Sequence, residues 1–288
     1  MNENSKFTLT RYLYSKKEVK HSLLLSLLEH ESDEALFWAY ELYYSGFNTY
    51  VFKFVLKTFN LFYKKENMQL ESFIVNTIEE WNQDNSKDYL LGSIIYTLST
   101  RDYHIDEFIN IYNSGDDITC VLVPPKNEPK KKKFIIKMTM KDIDIYKTIE
   151  PQTMKNWKIL SYMCRYPIRT NVNHIFGTER PENIEDVYNS DHWLYYAFRS
   201  PVWKERILCF EGKMDDEKRE IIFPNDDAFD EFYDCWGYEP DEQPIEVKEI
   251  LTGVSDGKQT SLEEFCGLYG GLLIRNTNEE LTNSMIYT

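Results

Sequence analysis

Residues able to do acid–base, nucleophilic or metal chemistry occur in this chain, but not in arrangements that perform it. The five histidines (His21, His30, His104, His174 and His192) are scattered. None belongs to an HExxH pattern, and no GxSxG, Walker A or GxGxxG motif is present. His21 and His30 read as members of one helix nine residues apart, on different faces and away from metal-ligand geometry. Cys164 and His174 could act as nucleophile and base only if the fold brought them together, which spacing does not show. The five cysteines are far apart, odd in number and without a CxxC pair, so reduced thiols fit better than a disulfide framework or a zinc site. "DDAFDEFYDCWG" is dense in carboxylates but lacks the alternating ligands, central glycine and terminal glutamate of a calcium loop. The sequence therefore predicts no catalytic, cofactor-binding or metal-binding residue, and a protein that is not an enzyme.

Binding chemistry has better footing. The 288 residues carry a net charge of −15, unevenly placed. Residues 1–114 hold 11 Lys/Arg against 16 Asp/Glu, residues 115–210 hold 16 against 12, and residues 211–288 hold 6 against 20. A basic middle thus lies between acidic flanks. Its densest point is the run Lys130, Lys131, Lys132 and Lys133, which reads as a solvated loop or as a contact for phosphate or an acidic partner. A second candidate is Arg199, Lys204 and Arg206, interleaved with Tyr195, Tyr196, Phe198 and Trp203. Cation–π packing inside a fold is favoured there over a nucleic-acid surface, because rings at this density rarely stay exposed.

These groups must be positioned by long regular elements, since glycine is scarce, with 11 copies. "EALFWAYELYYSGF" (residues 34–47) holds six aromatic residues and only two charges. At helical spacing it is apolar nearly all round, as for a helix packed on several sides. Ser32 is placed to cap its start and Gly46 to end it. Phe37, Tyr40, Tyr43 and Tyr44 are read first as core, with a groove for a partner protein as the alternative. "KKEVKHSLLLSLLEH" precedes it, and "TYVFKFVLKTFNLFYKK", "LESFIVNTIEEW", "DYLLGSIIYTLS" and "IDEFINIY" follow. Six helices joined by polar turns group as hairpins of roughly thirty to thirty-five residues, near the repeat length of helical solenoids. A compact bundle is the alternative.

After residue 114 the pattern changes. "ITCVLV" and "FIIKMTM" read as two strands closing a hairpin around "PKNEPKKKK". "KDIDIYKTIEPQTMKNWKILSYMCRYPI" reads as helical, with Trp157, Ile159, Leu160 and Met163 in the core. "EIIF" reads as a short strand, and the carboxylate-rich stretch after it as an acidic helix with Phe229, Phe232 and Tyr233 on one face. The fold class expected is mainly α, with a helical-hairpin N-terminal half (solenoid-like or bundle) and a smaller α+β C-terminal half. The divisions expected are 1–114, 115–250 and a C-terminal segment, 251–288. No apolar run is long enough to span a bilayer.

"EALFWAYELYYSGF", "HWLYYAFRSPVWKERI" and "FYDCWGYEPDEQPIEVKE" resemble a family from nucleocytoplasmic large DNA viruses, the mimivirus-like giant viruses, over about Lys16 to Glu249. No catalytic residues are assigned in that family, so the resemblance transfers none. It implies a setting: gene expression in the host cytoplasm, at a viral factory, or packaging in the virion. The function expected is a non-enzymatic scaffold or adaptor that binds other proteins through a helical-repeat surface, assembling translation-initiation or other gene-expression factors. The alternatives are an RNA- or DNA-binding accessory factor using the basic middle block, and a virion structural component.

Overall fold

Helix α2 (Ser32–Tyr44) has no polar face to turn to water, and the chain surrounds it. In the computed structural model, which describes residues 7–112, 118–123, 134–149, 153–189, 192–253 and 258–275, α2 packs against α1 (Lys16–Leu28), α3 (Asn48–Thr58) and α5 (Tyr89–Leu98). Phe37, Trp38 and Tyr40 are buried, and the Tyr40 hydroxyl bridges to α5, donating to the Asp88 carbonyl and accepting from the Gly92 amide, both at 3.1 Å. All six helices expected before residue 114 form, completed by α4 (Glu71–Gln83) and α6 (Asp106–Tyr112). The chain as a whole is mainly helical.

Two ends of these helices differ from expectation. Helix α2 begins at Ser32 itself, whose hydroxyl meets that of Ser99 at 2.7 Å instead of capping the helix. His30 is not on α1: it sits beyond the helix end at φ 62°, its Nδ1 2.9 Å from the Ser99 carbonyl oxygen. Gly46 does end α2, at φ 88°, and a Cβ there would lie 2.5 Å from Pro201. Glycine is needed for both the backbone conformation and the close approach.

The residues before α1 tie the two halves together. Arg11 is buried and donates through Nε to Glu41 Oε2 (2.9 Å), and through its terminal nitrogens to the Thr148 hydroxyl (3.0 Å) and the Tyr146 carbonyl (2.7 Å). Glu41 Oε1 accepts the Tyr12 amide at 3.0 Å, so the buried charge pair is also hydrogen-bonded. The carbonyls of Thr10, Leu13 and Tyr166 accept from Trp203, Tyr188 and Tyr14. One apolar core accordingly runs from Leu9 to Tyr269, across residue 114.

The later half is built from short helices, α7 (Met140–Ile143), α8 (Ile159–Met163), α9 (Trp193–Ala197), α10 (Pro201–Cys209), α11 (Asp226–Trp236), α12 (Ile245–Thr252) and α13 (Leu262–Tyr269). Strand β1 (Ile118–Leu122) does not form a hairpin with "FIIKMTM". It pairs antiparallel with β4 (Gly271–Arg275), while β2 (Lys213–Asp215) pairs with β3 (Glu220–Ile222). Residues 134–139 stay extended along α5. Their alternate amides, Ile136 and Met138, donate to the Thr97 and Ser93 hydroxyls, one helical turn apart. Side-chain hydroxyls on a helix thus replace the partner strand, which periodicity alone could not reveal. Trp157, expected in the core, is 48% exposed, whereas Ile159, Leu160 and Met163 are buried.

Candidate anion-binding groove

The polar face of α1 carries Lys16, Lys17 and Lys20, and that of α3 carries Lys53 and Lys57. On each helix the lysines recur at three- or four-residue spacing and share a face, so like charges adjoin. No carboxylate stands three or four residues from any of the five in sequence. None of them forms an ion pair among the described residues. Apolar burial fixes this arrangement. Val51, Phe52 and Val55 bury the opposite face of α3, turning Tyr50, Lys53, Phe54 and Lys57 outward together.

Between the two helices lies a cavity of about 370 Å³. Leu24, Phe54, Leu61 and Phe62 form its sides, with Phe108 from α6 and Phe176 closing it. After Thr58 the backbone widens into one π-helical turn, Phe59–Tyr63, which sets Leu61 and Phe62 into the wall. Such turns recur at functional sites. A second cavity, about 290 Å³, continues outward and shares Lys20, Tyr50 and Phe176 with the first. Lys16 and Lys17 line it, with Glu179 its one carboxylate. The two cavities form a groove with a lysine rim and an aromatic floor.

The electrostatics are strained in one direction. Burial, then Lys57, Lys17 and Lys16, push the Lys20 ammonium down to about 8. Lys16 is lowered by burial and by Lys17, and its Nζ lies 4.0 Å from the Phe47 ring centroid and 4.3 Å from that of Tyr50. The nearby Glu18 does not relieve them, for it is buried and engaged by Arg180 and Asn173 at 2.8 and 2.5 Å. Holding Lys20 protonated at neutral pH costs the fold about 3 kcal/mol, the free-energy equivalent of moving its titration from 10.5 to about 8. A bound anion would relieve that cost. His21 stacks on Phe176 at 4.5 Å and is pushed down to about 3 by burial, so it stays neutral in the wall.

The residues singled out from sequence lie elsewhere. Phe37, Tyr40 and Tyr43 are buried, and the Tyr44 hydroxyl donates to Asp88 Oδ2 at 2.6 Å. The chain's own helices cover that face, so the alternative of an open partner groove there is corrected. Lys130, Lys131, Lys132 and Lys133 lie outside the described residues. Arg206 is buried, its guanidinium 3.8 Å from the Trp236 ring centroid and 4.6 Å from Trp203, and Arg199 stacks on Tyr195 at 4.3 Å. Of that trio only Lys204 is exposed. Cys164 is buried with its thiol against the Tyr12 carbonyl, and burial pushes it up, away from a nucleophile's thiolate. His174 is exposed. Among the described residues no group of three or more His, Cys, Asp or Glu could hold a metal ion, and no helix is long and apolar enough to cross a membrane.

Sequence reasoning missed the lysine groove because it read α1 and α3 by their apolar residues. The available signal was two i,i+4 lysine pairs with no carboxylate three or four residues away, inside a block of net negative charge. Comparison with protein-family models, curated proteins and solved structures finds no match.

Proposed function

We propose that this protein binds single-stranded nucleic acid through the lysine groove, as an accessory factor that performs no chemistry on it. The observation carrying this reading is the convergence, on one aromatic-floored groove, of five lysines that form no ion pair among the described residues, in a chain of net charge −15. A concave, partly apolar surface concentrates the lysine field, and phosphates release counterions on contact. Aromatic walls suit unpaired bases, whereas a duplex offers them no free ring face. Because α2 contacts α5 as well as its sequence neighbours, we read the first half as a bundle, with a groove between two of its helices rather than a concave solenoid face. The giant-virus setting and a role in gene expression belong to the same proposal, resting on the resemblance of sequence.

A salt titration of binding to a labelled single-stranded RNA tests it. If all five lysines meet phosphates, the slope of log affinity against log salt should approach about −3.5, and Lys53→Gln with Lys57→Gln should reduce its size by about 1.4. An unchanged slope in the double variant would exclude the groove. A scaffold for other proteins is the second reading, favoured by Trp157 and Tyr162, which stand 48% and 60% exposed on adjoining turns. Partners that survive nuclease treatment and are lost with Trp157→Ala and Tyr162→Ala would support it.

A further inference from the structure

The lysines explain a polyanion, but not the well beneath them. At about 370 Å³ it exceeds the ~150 Å³ apolar cavity that can hold benzene, so a bicyclic ring fits. Its walls are ring-rich: Phe62 and Phe108 stack on one another at 5.4 Å, Phe108 meets Phe176 at 5.9 Å, and Phe54 is half-buried at the side. Besides the lysines, three polar side chains stand in this lining: His21, Thr58 and Tyr50. Thr58 is only 2% exposed. Tyr50, between the two cavities, is half-buried. A hydroxyl bordering a cavity is placed to meet a polar ligand atom there. An aliphatic chain would offer those hydroxyls no partner. A planar heteroaromatic ring with polar edges would satisfy them while its faces meet phenylalanine.

We infer that the well receives one base of the bound strand, its ring among Phe54, Phe62, Phe108 and Phe176 and its edge at the Thr58 and Tyr50 hydroxyls, while the flanking phosphates lie on Lys16, Lys17, Lys20, Lys53 and Lys57. The inference rests on the nucleic-acid reading of the groove and adds base capture to it. A strand is favoured over a free nucleotide because the lysines extend along two joined cavities, beyond what one phosphate group spans.

The test compares three probes on the full chain at low salt: a single-stranded oligonucleotide, an abasic sugar–phosphate oligomer of equal length, and inorganic polyphosphate. The base-bearing strand should bind about tenfold tighter than the abasic one, as expected for one stacked base. Leu61→Trp, which fills the well at its half-buried wall, should erase that difference. Thr58→Val should reduce it. Equal affinity for both strands, or a difference that persists in Leu61→Trp, would overturn base capture while leaving the lysine groove standing. A mononucleotide displacing the strand at a comparable concentration would reassign the well to a free nucleotide and overturn the strand. Failure of all three probes to bind would remove the groove reading itself, and base capture with it.

Discussion

Lys20→Met should make the protein more stable and a poorer binder. Burial and the lysines at 57, 17 and 16 hold Lys20 at about 8, below its ordinary 10.5. For a lysine whose folded value is depressed, the unfolded chain binds more protons between those two values, so stability rises with pH across that window. Well below pH 8 the penalty is fully present, at about 3 kcal/mol; by pH 9.5 it has fallen to about 1.4 kcal/mol. Methionine retains most of the stem's packing without the charge, so the variant should gain about 1–3 kcal/mol at pH 7. The assay is urea unfolding of both proteins at pH 7 and pH 9.5, where the stability difference between them isolates this one group. The advantage of Lys20→Met should shrink by about 2 kcal/mol at the higher pH. Binding by the parent should also weaken about tenfold from pH 7 to pH 9 as Lys20 loses its proton, while Lys20→Met shows no such dependence. A destabilised variant, or a stability difference constant with pH, would refute the argument that the groove strains its lysines.

Other outcomes follow from the packing. Glu41→Gln keeps the shape of the side chain but leaves the buried Arg11 without its counter-charge, and should destabilise by about 3–5 kcal/mol in the same unfolding assay. Phe37→Ala should cost about 3–5 kcal/mol, with affinity for RNA unchanged once the folded fraction is accounted for; lost affinity at full stability would return that ring to a binding role. The fragment 16–113 should lack a cooperative thermal transition, since it omits Arg11, Tyr14 and Arg169, which pair with or pack against Glu41, Phe37 and Glu34.

The helices before residue 114 were legible because each announces itself through apolar spacing, as α2 and α5 do. Their mutual arrangement was not, since the Tyr40 hydroxyl on the Gly92 amide depends on tertiary placement. The strand after residue 114 was legible as a strand but not its partner: β4 lies about 150 residues away, and local pattern favours a hairpin. "FIIKMTM" misled because an extended segment can satisfy its amides on Ser93 and Thr97 as well as on a strand. The candidate site was the least visible part. Consecutive lysines at 130–133 catch the eye, whereas five lysines spread over two helices converge only when those helices pack side by side. Aromatic density pointed to α2 and to α9 with the start of α10, where Trp193 and Trp203 are core. The rings flooring the groove, Phe54, Phe108 and Phe176, come one at a time from distant segments.

Mapping which lysines the ligand covers tests the central claim most directly. The full chain would be labelled with an amine-reactive acetylating reagent, with and without saturating single-stranded RNA, and modification read residue by residue by mass spectrometry. The groove account predicts protection of Lys16, Lys17, Lys20, Lys53 and Lys57 together, with Lys204 labelled equally in both states. Protection confined to Lys130–Lys133, with the five groove lysines unchanged, would contradict it.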